Sequence, residues 1–418
     1  MRCVPRHVAR PSNAGAGKAS RTGCWNRFKY DSRVGDAQKL PPDEQIAFAR
    51  EAFDNADDMT VAVEEEFALL DPETLELTDR FEELKAAADE TEWGEHVVGE
   101  LISSEIEFKT GRCADFTEAA ERMAERRRQL ATLADEHGVA IASAGTHAWS
   151  RWQDQHIIDT PHYRRNDEIL RYVVWRNNSF GIHVHVGVRG ADRAIGVCNA
   201  FRNVLPELLA LSASSPFVED VVTGLHSART EIFTRMFPRC GVPDAYDGWA
   251  GFEEYVGFLY ATRSIDEHTQ LWWSVRPHLA FPTVEVRICD AQPDLADAHA
   301  LAALIHALGA RFARALDERE PLPAWPHRLI EENTWRAIRY GLSGELIDFA
   351  TGEVLPARAR LEQLLEWVAP VAAEIGADGY LGIPSVNSAE RQYGRLAELE
   401  SHREVFAELV RRPRERVA

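Results

Sequence analysis

Four stretches of the chain alternate apolar and polar residues with a period of two, the pattern of strands with two unlike faces. MTVAVEEEFALLD (59–71) reads as a strand ending at Asp71-Pro72. VVGELISSEIEFKTG (97–111) reads as a second, in which Ile102, Ser104, Ile106 and Phe108 alternate with Ser103, Glu105 and Glu107. FGIHVHVGV (180–188) is a short strand bounded by glycines, and SVRPHLAFPTVEVRICDA (274–291) contains another, with Pro282 near its start. VAIASAGTHAW (139–149) adds a strand that runs into a loop. The helical period appears elsewhere. PPDEQIAFAREAF (41–53) suits a short helix opened by proline and acids, and 115–138 a long one with Thr117 as N-cap and Gly138 as stop. Residues 191–215 and 295–318 read as helices, as do about 357–376 and 388–411. Strands and helices fall in separate blocks, without βαβ alternation or an internal repeat. That order predicts an α+β fold with a largely antiparallel sheet.

The polar faces of the strands are unusual. Residues i and i+2 of a strand point the same way, about 7 Å apart. Glu64 and Glu66 therefore share a face, with Glu65 opposite; so do Glu105 and Glu107, His183 and His185, and Glu285 and Arg287. A wet sheet face ordinarily mixes Lys, Thr, Ser and Arg. One made of Glu, His and a single Arg repels itself unless cations sit on it. Hard divalent ions with oxygen ligands fit best, and Mg2+ couples carboxylates to substrate phosphates. Zinc is the competing reading through HVHV, although no HExxH is present. Arg287 would offer a fixed fork to a phosphate oxygen. Glu65 needs its own explanation, such as a salt bridge to a covering helix, and its replacement by Gln is expected to be mild.

Composition narrows the class. The 418 residues suffice for one large domain or two ordinary ones, and 45% are hydrophobic, so a sizeable core can form. A formal net charge of -20 argues against a nucleic-acid partner held through phosphates. No apolar run approaches the roughly 20 residues of a membrane span, and a soluble, cytoplasmic protein is expected. The 6 cysteines are scattered without a CxxC and read as reduced thiols. The first thirty residues hold seven Lys or Arg and no Asp or Glu. Such a start resembles an organellar transit peptide, but a disordered or non-native extension is preferred for residues 1–57. GAGKAS (15–20) fails as a phosphate loop because Ala19 stands where Ser or Thr is needed. A single domain over 58–412 and a tail at 413–418 complete the expected organisation.

VAVEEEF, ELISSEIEFKT, GIHVHVGV, LSASSPF, TGLHSAR and WWSVRPHLAFPTVEVRICDAQ occur in that order. Together they resemble the type 2 glutamate–cysteine ligases, the carboxylate–amine ligase family, over about residues 59–410. The resemblance implies an antiparallel sheet curved into a half-funnel with helices outside, like the catalytic domains of glutamine synthetase and guanidino kinases. It implies ATP and Mg2+ as cofactors, L-glutamate and L-cysteine as substrates, and γ-glutamylcysteine formed through an acyl phosphate. By position Glu64, Glu66, Glu100, Glu107, His183 and Glu285 match the family's metal-side residues. Arg287 matches the arginine facing the transferring phosphate, and Arg229 a residue for a substrate carboxylate. A homodimer is what the family suggests. The chain departs from the family pattern at Phe180, at Pro282 and through TGLHSARTEIFTRMFPRCGVP, near regions that recognise substrate.

Other functions stay open at this level: a metal-dependent hydrolase using His183, His185 and carboxylates, or a catalytically silent binding protein on the same fold. Trp272 and Trp273 read as core packing, with a wall for a nucleotide base as the alternative. His278 could contact phosphate or be satisfied by its neighbours, and Cys289 reads as a buried filler.

Overall fold

The computed structural model describes residues 41–415, with side chains to residue 410. The Arg-rich start and GAGKAS lie outside the described residues. Seven strands form the main sheet: β1 (Val61–Leu70), β2 (Val97–Val98), β3 (Glu105–Lys109), β4 (Ala140–Ala142), β5 (Ile182–Gly187), β6 (Val275–His278) and β7 (Thr283–Val286). Their order is β6-β7-β5-β1-β3-β2, with β4 also paired to β1. Every pairing is antiparallel. The fold is α+β, as the segregated blocks predict.

The sheet has one apolar and one polar face because its strands alternate in step. Val61, Val63, Ile182, Val184, Val186, Val275, Val284 and Val286 are all buried in one core. The helices Ala191–Arg202 and Leu295–Asp317 cover that face. The second is close enough that a Cβ on Gly309 would stand 2.8 Å from Val186 Cγ1, so glycine is required at that crossing. Each fully buried Val or Ile contributes about 1.5–3 kcal/mol, and this face holds the sheet in register. The helix Phe116–Glu136 packs farther along β1 and against β4.

The structure corrects several boundaries. Residues 97–111 are not one strand: β2 and β3 form an antiparallel pair, Val97 opposite Phe108, and the segment between them is a loop that carries Glu100. The 274–291 segment is likewise a hairpin with Pro282 in its turn. The N-cap of the helix Phe116–Glu136 is Asp115, whose side chain accepts from the Glu118 N–H at 2.9 Å; Thr117 lies inside the helix. The 191–215 helix is two, Ala191–Arg202 and Leu205–Ser212, and 388–411 divides into Ser388–Leu399 and His402–Glu415, with Glu400 left-handed between them. The expected domain start at 58 leaves out an element that packs: the helix Pro42–Asp54 buries Ile46, Ala49 and Phe53 in the main core. The last helix also runs past 412, to Glu415. Among the described residues no single helix is long and apolar enough to cross a membrane; the bent pair Ala191–Arg202 and Leu205–Ser212 passes that test only together.

Candidate active site

The polar face of the sheet gathers the residues that alternate with the core. From β6 come Arg276 and His278, from β7 Glu285 with Arg287 just past its end, and from β5 His183 and His185. β1 brings Glu64 and Glu66, and β3 brings Glu105, Glu107 and Lys109. Register sets the neighbours. Glu64 lies opposite His183 on one side and Lys109 on the other, Glu66 opposite Glu107, and Glu285 opposite both His185 and Arg276.

Short contacts bind this set together. Lys109 Nζ stands 2.9 Å from Glu64 Oε1 and 3.0 Å from Glu107 Oε1. Glu107 is 1% exposed, and apart from this ion pair its carboxylate has no partner. His183 Nδ1 is 3.5 Å from Glu64 and its Nε2 3.6 Å from Glu66. His185 Nδ1 meets Thr283 Oγ1 at 2.9 Å, which orients the ring and leaves Nε2 without a hydrogen-bond partner, 3.6 Å from Glu64 and 3.9 Å from Glu285. Glu285 is held from both sides: Arg276 Nε donates to Oε2 at 2.7 Å, and Arg287 Nη1 donates to Oε1.

The charges conflict as a metal-free set would. Burial pushes Glu66 up to about 7, with Glu107 adding to the rise and Arg229 opposing it. Glu100 is raised to about 6, by burial first and then by Glu66. Burial also raises Glu107 well above the carboxylate range; Lys109 opposes that rise and Glu64 adds to it. Glu64 goes the other way, because Lys109 and His185 outweigh its burial. Glu285 also ends well below the usual range, since Arg276 and Arg287 outweigh burial. Burial, helped by Arg287, lowers His183 to about 3, so its ring is neutral and able to ligate.

Three groups on this face can hold a cation: Glu64–His185–Glu285, Glu64–Glu107–His183 and Glu66–Glu100–Glu107. In each, one ligand atom per residue lies within 4.8 Å of the others. Glu107 Oε2 and His185 Nε2, buried without a hydrogen-bond partner, are what metal ligands look like without their ion. The donor set is mostly carboxylate, which fits a hard divalent ion such as Mg2+. The two arginines on Glu285 leave it free lone pairs, since each carboxylate oxygen can accept twice.

Beside this ladder lies a cavity of about 200 Å3. Glu66, Glu100 and Glu105 line it together with Arg229, Arg276 and Arg287. Arg229 is 5% exposed; its Nη1 donates to the Ile288 carbonyl at 3.2 Å and lies 3.9 Å from Asp290 Oδ1. Asp290 is itself fixed by Ser214 N at 2.8 Å, Ser215 Oγ at 2.6 Å and Ser227 Oγ at 2.9 Å. The cavity is smaller than the roughly 300–1,000 Å3 of drug-sized pockets and suits an amino-acid-sized molecule.

The profile of glutamate–cysteine ligase family 2 matches residues 60–395. The chain belongs to that family. Two relatives carry the provisional name glutamate–cysteine ligase 2. The one from Solibacter usitatus is 39% identical over 318 residues, 76% of this chain and 82% of its own. The one from Sorangium cellulosum is 40% identical over 361 residues, 84% and 95%. A glutamate–cysteine ligase from Francisella tularensis, solved in complex with AMP, has the same fold: TM-score 0.62 at 14% identity, covering 86% of this chain and 88% of that one. A bifunctional glutathione synthetase from Pasteurella multocida aligns with TM-score 0.59 and 15% identity over 89% of this chain and 54% of that one. This member of the family is a carboxylate–amine ligase, and the hydrolase and silent-binder readings fall away.

The structure brings together all eight residues singled out in the sequence: Glu64, Glu66, Glu100, Glu107, His183, Arg229, Glu285 and Arg287. It adds His185, Lys109, Arg276 and Glu105. The faces of His185, Glu105 and Lys109 were readable from alternation; that Lys109 meets Glu64 and Arg276 meets Glu285 was not, because only cross-strand register makes those pairs. Of the departures, Phe180 is buried in a separate core with Ala68, Leu70 and Ala291. The two tryptophans divide: Trp272 lines the cavity and Trp273 is core. His278 Nδ1 accepts the Phe281 N–H at 3.0 Å, so a neighbour satisfies it. Cys289 is a buried filler whose thiol burial pushes up to about 12.

Proposed function

We propose that the chain is an ATP- and Mg2+-dependent ligase that joins the γ-carboxylate of L-glutamate to the amine of L-cysteine. The observation that carries the reading is the meeting, at one cavity, of a carboxylate–imidazole ladder with three guanidinium groups, those of Arg229, Arg276 and Arg287. Bound Mg2+ would supply positive charge to offset that of the ATP phosphates. Glu64, Glu66, Glu100, Glu107, His183, His185 and Glu285 are the residues to hold it. Arg287 would stabilise the charge that develops on the phosphoryl group as a γ-carboxylate oxygen bonds to phosphorus and ADP leaves. The amine then bonds to the acyl carbon, phosphate departs, and the nitrogen loses its proton. No nucleophilic side chain is needed; the protein contributes position and fixed charge. Arg229 would orient the acid through a carboxylate that does not react.

The test uses the full chain with ATP, Mg2+ and pairs of one acid and one amine, with ADP and ligated product both measured. Turnover that requires both partners, highest with glutamate and cysteine, is the expected result. ADP release indifferent to every acid and amine overturns the reading.

A second expectation probes Arg229 without removing it. A Cβ at residue 181 would stand 2.3 Å from Arg229 Nη2 and 2.9 Å from its Cζ. Gly181→Ala must therefore displace the guanidinium. Losing a charge-assisted hydrogen bond, worth about 1.5–3 kcal/mol, should raise KM for the acid about tenfold or more, with a smaller change in kcat. Steady-state kinetics with the acid varied at saturating ATP and amine measures both.

A further inference from the structure

Three cation positions lie in a row on the sheet face and share ligands: Glu64 belongs to the first and second, Glu107 to the second and third. Lys109 already sits at the second. Its ammonium lies 2.9 Å from Glu64 and 3.0 Å from Glu107, the two carboxylates of the Glu64–Glu107–His183 group. The placement comes from the backbone, since Lys109 is the β3 residue paired with Glu64 across the strands and shares a face with Glu107. An ammonium and a divalent ion cannot both take the same carboxylate oxygens at contact distance, because like charges repel and Mg2+ demands a full octahedral shell at about 2.1 Å.

The outer positions differ. At the first, His185 is 5% exposed and its Nε2 has no hydrogen-bond partner. At the third, Lys109 takes Glu107 Oε1 and leaves Oε2 without a partner in the group with Glu66 and Glu100. We propose that Lys109 is a built-in monovalent substitute for the middle cation. The chain then holds two divalent ions, at Glu64–His185–Glu285 and Glu66–Glu100–Glu107, where a chain without the lysine holds three. The proposal rests on the metal-dependent reading above and adds a stoichiometry to it. Lys109 is a positioning residue: it sets the spacing of Glu64 and Glu107 and so the geometry of both outer sites.

Mn2+ is the probe. Equilibrium dialysis of the full chain counts bound Mn2+ at saturation for the wild type, Lys109→Arg and Lys109→Met. Two ions are expected for the wild type and for Lys109→Arg, which keeps a cation, and three for Lys109→Met. Should Lys109→Met fail to fold, as judged by circular dichroism, Lys109→Gln carries the same expectation. Three ions on the wild type, or equal non-zero counts on the wild type and the uncharged variant, overturn the proposal and leave the ligase reading standing. No Mn2+ on any of these chains overturns the metal-dependent reading itself.

Discussion

Arg287→Ala is expected to lower the rate of ATP-dependent ligation by about 10^3-fold or more, the range found when an arginine that faces a transferring phosphoryl group is removed. Arg287 is well placed for a clean test. It lies just past the end of β7, lines the cavity, and pairs with Glu285. Its removal does not strand that carboxylate, because Arg276 still donates to Glu285 at 2.7 Å. The melting temperature should therefore move little while kcat collapses. Glu285→Gln is the informative contrast. It takes the shared negative charge from the buried Arg276 and the partly buried Arg287 at once, so it should cost stability as well as turnover. Steady-state kinetics and thermal melts of both variants separate the two effects. An Arg287→Ala enzyme within tenfold of wild type would remove Arg287 from the phosphoryl-transfer role.

Glu65→Gln is expected to destabilise the fold by about 3 kcal/mol, the cost of leaving one buried charge without its partner. The strand pattern alone made this residue look tolerant, since it faces away from the acids. The structure shows what it faces. Glu65 is 1% exposed and receives both Nε, at 3.2 Å, and Nη2 of Arg127, from the helix Phe116–Glu136. Arg127 is also buried and donates to the carbonyls of Gln292 at 2.8 Å and Pro293 at 3.2 Å. The pair thus ties β1, the covering helix and the segment after β7 at one point. Those backbone acceptors retain part of the guanidinium's hydrogen bonding, which keeps the expected loss near the lower end for a broken buried pair. Urea unfolding measures it, and kcat of the folded fraction should be unchanged. A loss under about 1 kcal/mol, the scale of exposed pairs, would show that the bridge is not held as described. The contrast with Glu64 and Glu66 is then one of kind: their replacement would remove proposed cation ligands, while replacing Glu65 loosens the scaffold under them.

The sequence and the structure contribute different parts of this site, and β1 shows where the division falls. Alternation is local: a strand residue's face follows from its parity, so VAVEEEF alone separates Glu64 and Glu66 from Glu65, and HVHV and VEVR sort themselves in the same way. The α+β class followed from the segregation of strand and helix blocks, and the ligase identity from six ordered motifs. Partnership is not local. That Lys109 stands between Glu64 and Glu107, that Arg276 faces Glu285, and that Glu100 reaches the ladder from a loop rather than a strand all depend on cross-strand register. Register is set by burying one whole face of the sheet beneath the helices, because a slip of one residue would turn every acid inward and every valine out. By itself the sequence determined which side chains share a face. Which of them touch, and so which acids lie together as a cation site would need, which meets a lysine and which braces a helix, was decided only when the core closed.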